Sequence, residues 1–211
     1  MKDKTLKINK KIFYRIGIVA MVLTFFIGSQ FVLPEFRIFN NAHIVSQPNG
    51  KTPVLLAGTA EKMEYLSNEN SSFCGLQPTS VDSYADSDRI QGACCGAMDL
   101  HRYQEQVKGL KEYSDISQIP EDPYDIPATL AKKLFTYQRD IKLTDTQQAI
   151  YDEAMSLSDE KGPCCCKCWR WTAFEGQAKY LITDHNFNAE QIAKVWDLED
   201  GCGGAGHEHA A

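Results

Sequence analysis

Gly162-Pro163-Cys164-Cys165-Cys166-Lys167-Cys168-Trp169-Arg170-Trp171 holds half of the chain's eight cysteines, a density that neither helix nor strand formation requires. Adjacent Cα atoms lie ~3.8 Å apart across a trans peptide, closer than the ~4.4–6.8 Å of an ordinary disulfide. Neighbours such as Cys164 and Cys165 therefore bridge to each other only under strain. Two chemistries fit better: a soft metal held by clustered thiolates, or thiol–disulfide exchange, because Cys165-Cys166-Lys167-Cys168 is also a Cys-x-x-Cys. Trp171, Phe174, Ala178 and Leu181 then recur at helical spacing, so a helix grows directly out of the cluster. Free N–H groups and the dipole at its N-terminus favour thiolate over thiol, and Lys167 and Arg170 add positive charge.

Outward from that helix the pattern stays helical. Thr144 with Gln147 reads as a capping box for a helix to about residue 158, with Ile150, Ala154 and Leu157 inward, closed by Gly162-Pro163. Asp125 is expected to cap a helix with Pro127 in its first turn and Leu130, Leu134, Tyr137 and Ile141 buried. Residues 97–113 place Leu100, Tyr103, Val107 and Leu110 on one face, residues 59–67 form a short candidate, and Asn188 with Gln191 caps a last helix that buries Ile192, Val195 and Trp196 and stops at Gly201. No segment alternates convincingly with β-branched residues. The expected fold is all-α: an N-terminal transmembrane helix, then a bundle of about five helices over 59–203, long enough to bury a core without disulfides.

Cys94-Cys95 stands before the 97–113 helix. If that helix covers Cys94, Met98 and His101 follow on one face, a thiol, thioether and imidazole set that suits Cu(I); otherwise Met98 packs and His101 is solvated. Cys202, in a Gly-rich turn, and Cys74, in Phe73-Cys74-Gly75, are natural candidates to complete a site with Cys164–Cys168 or to bridge to it. The expected metal ligands are Cys164, Cys166 and Cys168, supplemented by Cys165 and Cys202, with Cys94, Cys95, Met98 and His101 as a second or completing set. The redox alternative uses Cys165 with Cys168, or Cys94 with Cys95. Haem attachment through Cys-x-x-Cys-His is excluded because Trp169 stands in the histidine position. Trp169 and Trp171 read as packing, and His207-Glu208-His209, though able to bind Zn²⁺ or Cu²⁺ weakly, reads first as a disordered end.

The net charge of -6 and the lack of a basic tract after residue 60 argue against nucleic acid as a partner. Lysines and an arginine crowd the first 15 residues, and Ile16 to Leu33 carries no charge, a length that fits one membrane span with the N-terminus cytoplasmic. The division expected is a basic N-terminus (1–11), a transmembrane anchor (12–33), a linker (34–58), a cysteine-rich domain (59–203) and a Gly/His tail (204–211). A cleaved signal peptide is the competing reading. Either places the body outside the cytoplasm, where unprotected thiols oxidise.

The frame Pro163-Cys164-x-Cys166-x-Cys168 resembles the Pro-Cys-Tyr-Cys-Gly-Cys signature of a family of exported bacterial proteins and lipoproteins named for that motif. Cys165 and Lys167 replace its tyrosine and glycine, and the residues after Cys168 lack its Gly-His and later Cys-x-x-Cys. The resemblance implies an exported body and little about function; it assigns no role to Cys94, Cys95 or Cys202.

These readings converge on a single-pass, extracytoplasmic protein that sequesters or hands over Cu(I), Zn²⁺ or Hg²⁺, with a metal donor or acceptor protein as partner. A thiol–disulfide oxidoreductase or sensor, and a disulfide-stapled envelope protein, are the alternatives. The fate of the thiols separates them.

Overall fold

The computed structural model describes residues 54–203. Thr59 starts α1 (Ala60–Ser67) by accepting the Lys62 backbone N–H on its hydroxyl, the cap that short polar side chains provide. A single turn, α2 (Pro78–Val81), follows. Asp99 caps α3 (Leu100–Leu110) in the same way, and a 3₁₀ turn, Lys111–Tyr113, extends it. Then come α4 (Ala128–Asp140), α5 (Asp145–Leu157), α6 (Trp169–Asp184) and α7 (Ala189–Glu199). Both expected capping boxes are formed, at Thr144/Gln147 and Asn188/Gln191.

The all-α expectation is overturned by a two-stranded antiparallel ribbon, β1 (Arg89–Gln91) with β2 (Asp125–Pro127), paired Arg89 to Pro127, Ile90 to Ile126 and Gln91 to Asp125. Ile90 and Ile126 are both fully buried, so the ribbon is tied into the core by one apolar pair. Asp125 consequently caps nothing: it lies in the strand, its carboxylate held by Lys62 and Arg89, and Pro127 is the N-cap of α4. Among the described residues no helix is long and apolar enough to cross a membrane. The span expected over 12–33 and the tail 204–211 lie outside them.

The core is organised around α6, which buries Trp169, Arg170, Phe174, Gln177, Ala178 and Leu181. Gly176 lets α4 cross it closely, since a Cβ there would stand 2.0 Å from the Leu134 carbonyl oxygen. On the other side α5 meets α7 through an edge-to-face contact of Tyr151 and Trp196, centroids 5.4 Å apart. The inward face of α5 is Tyr151 and Ala154, and Leu157, expected inward, is 47% exposed. Leu66, Tyr103, Val107 and Tyr124 form a second small cluster against which Met98 packs.

Candidate metal centre

Four segments far apart in sequence are brought together at the N-terminal end of α6. Trp169 N–H donates to the Leu76 carbonyl at 2.9 Å, which fixes the loop bearing Cys74. The Cys94 and Asp99 amides donate to the Gly201 and Gly203 carbonyls, each at 2.9 Å, so the Cys94-Cys95 loop and the Cys202 turn lie side by side. Buried Gln106 holds that turn from below, donating to the Asp200 carbonyl at 2.7 Å while it accepts the Tyr124 hydroxyl. Gly201 is required here: a Cβ would stand 2.3 Å from Cζ of Arg170.

All eight cysteines meet at this point as free thiols. The rim consists of Cys74, Cys95, Cys165 and Cys166. Sγ of Cys74 lies 2.8 Å from that of Cys95 and 2.9 Å from that of Cys166, and Cys95 reaches Cys165 at 3.5 Å and Cys166 at 3.9 Å. Below them lies a deeper set. Sulfurs of Cys94, Cys164 and Cys202 all fall within 4.8 Å of one another, and Cys168 neighbours Cys164. The tiers join where Cys202 approaches Cys165 at 2.9 Å and Cys95 at 3.6 Å. Every one of these separations exceeds the ~2.03–2.05 Å of an S–S bond, and the longer ones approach the ~3.8 Å between sulfurs of a tetrahedral Zn site with 2.3 Å bonds.

Crowded thiols share negative charge unequally. Hydrogen bonding from Cys164, then from Cys202, draws Cys94 down to about 4 against its burial, with Arg170 contributing attraction. Cys168 and Cys202 similarly draw Cys164 down to about 7. Burial, then the neighbouring Cys74, pushes Cys95 and Cys166 up. Contact with Cys164 pushes Cys168 and Cys202 up. The centre thus favours a few thiolates among thiols that donate to them. Taking more protons off requires a compensating cation.

One fixed cation already stands behind the sulfurs. Arg170 is fully buried, stacked over Trp169 with its Cζ 5.0 Å from the ring centroid, and it donates to the Pro123 carbonyl at 2.5 Å and the Glu199 carbonyl at 3.3 Å. Comparison with protein-family models, curated proteins and solved structures gave no match. The likeness of residues 163–168 to the Pro-Cys-Tyr-Cys-Gly-Cys family therefore rests on that frame alone.

Of the residues expected as ligands, the seven cysteines are all in the centre, joined by Cys74, which the sequence offered only as a possible completion. Met98 and His101 are elsewhere. Residues 94–99 are not helical, so the assumed face does not exist; Met98 packs on the Tyr103 cluster, and the exposed His101 ring faces Glu105 at 3.2 Å. Trp169 is core, as expected, whereas Trp171 is half-buried under Lys167. The sequence reading placed Arg170 near the thiols but missed its burial. The signal was the spacing Arg170, Phe174, Gln177, Leu181, a helical stripe with two polar members. Clustered cysteines this close can hold a metal ion.

Proposed function

We propose that this chain binds a soft metal ion, Cu(I) or Zn²⁺, through its cysteine centre and holds it for sequestration or transfer. The observation that carries the reading is convergence: eight unpaired cysteines from four separated segments meet in one place. A structural framework would pair them two by two at distant points. An all-sulfur donor set favours soft ions, and the half-open rim lets an incoming thiol displace one ligand at a time. A setting outside the cytoplasm belongs to the proposal and rests on the basic N-terminus and the charge-free run 16–33. Anaerobic competition of the full chain against a chromophoric Cu(I) chelator tests it. The chain should strip copper from the chelator, and the Cys164→Ser, Cys166→Ser, Cys168→Ser triple variant should lose that ability. A wild-type chain that leaves the chelator loaded refutes copper binding, and the same format with a Zn²⁺ indicator decides the second ion.

Thiol–disulfide exchange is a second reading because several unbonded sulfurs lie close enough to pair, Cys74 with Cys95 at 2.8 Å and Cys165 with Cys202 at 2.9 Å. It predicts one disulfide that opens and closes in a glutathione redox buffer, with metal bound weakly.

A further inference from the structure

We infer that the centre is polynuclear: it holds more than two Cu(I) ions bridged by shared thiolates, with the deep tier as the resting place and the rim as the port of entry. This rests on the soft-metal reading above. Without bridging, eight sulfurs serve two ions at four each or up to four digonal Cu(I) ions at two each, so it is the sharing of sulfurs, not the count alone, that marks a cluster. The geometry does not divide that way. Cys95 lies within 3.9 Å of Cys74, Cys94, Cys165, Cys166 and Cys202, and Cys202 belongs equally to the trio with Cys94 and Cys164 and to the trio with Cys95 and Cys165. No cut separates two independent sets of four. Sulfurs that neighbour several others at once are placed to bridge, and thiolate bridges between digonal or trigonal Cu(I) ions spread each negative charge over two cations.

Access is graded in the same direction. Cys164, Cys168 and Cys202 are buried, Cys74, Cys94 and Cys166 are half-buried, and Cys95 and Cys165 are exposed. An ion arriving on a carrier thiolate meets Cys95 and Cys165 first and passes inward through the Cys165–Cys202 contact. Each Cys–S–Cu bond that forms replaces a bond from copper to the carrier thiolate, the incoming thiol's proton passing to the released carrier sulfur directly or through solvent, and copper stays Cu(I) throughout.

The test loads the full, fully reduced chain anaerobically with Cu(I) supplied as its acetonitrile complex, counts ions by native mass spectrometry, and reads copper K-edge EXAFS. More than two ions per chain together with a short copper–copper vector is the expected result. Sulfur scattering alone, at any ion count, or no more than two ions, overturns the polynuclear centre and leaves the soft-metal reading standing, whereas a chain that takes up no copper removes both. Cys95→Ser with Cys165→Ser should lower the ion count and slow loading at least tenfold while the deep tier still binds. Circular dichroism checks that this variant folds, and Cys95→Ser alone replaces it if it does not. Unchanged count and loading rate overturn the rim as the port.

Discussion

Glu199→Gln is the most informative change behind the centre. Glu199 is fully buried; its Oε1 accepts the Gln177 amide at 2.6 Å, and its Oε2 meets no hydrogen-bond partner among the described residues. Arg170 reaches the Glu199 backbone carbonyl. Burial therefore dominates and raises the carboxyl from 4.5 to about 8, against the Gln177 hydrogen bond and the attraction of Arg170. An acid with a raised folded pKa binds its proton more tightly when folded. Its contribution is complete below the unfolded pKa and falls as pH rises through the folded one. Each pH unit in that window removes up to ~1.4 kcal/mol, so the whole shift is worth on the order of 5 kcal/mol. Glutamine mimics the neutral acid and abolishes the dependence. Urea denaturation of the metal-free, reduced chain at pH 5 and pH 8, wild type beside variant, reads the difference and cancels the titration of the thiols. Near-equal stability at pH 5, with the variant ahead by several kcal/mol at pH 8, is expected. A difference that does not change with pH, or grows the other way, refutes the argument that Glu199 is neutral in the fold.

Gly176→Ala forces α4 and α6 apart, since its Cβ would meet the Leu134 carbonyl oxygen at 2.0 Å and the Gln138 nitrogen at 2.7 Å; a loss of ~1–3 kcal/mol or more is expected from the denaturation midpoint. Ile90→Ala empties one half of the apolar pair that anchors the ribbon and should cost ~2–5 kcal/mol, an effect absent if the strands were incidental. Asp125→Asn strands a buried Lys62 ammonium and frees Arg89, with an expected loss of ~3 kcal/mol in the same assay.

Helix positions were legible wherever the signal was local. Thr144 and Asn188 announce their helices through a partner three residues on, and both boxes form. The ribbon was illegible because three residues cannot display alternation. Asp125 followed by Pro127 also imitates a helix start, and only Ile90, a distant partner, makes Ile126 a strand residue. The supposed helical face of Cys94, Met98 and His101 failed for a similar reason: the 94–99 backbone is held by the carbonyls of Gly201 and Gly203, about a hundred residues on. Cysteine density at 164–168 was visible as chemistry. That Cys74 and Cys202 converge on it depends on loops whose course is set by Leu76, Gln106 and Gly201, and no periodicity records that.

The central claim is that eight thiols gather to hold metal rather than to form bridges. The most direct measurement is native mass spectrometry of the full chain purified without reductant or added chelator, beside a denatured intact mass that counts disulfides. A chain carrying bound ions whose denatured mass is that of the fully reduced polypeptide is the predicted result. A metal-free chain eight hydrogens lighter, all eight cysteines joined in four disulfides, would contradict it.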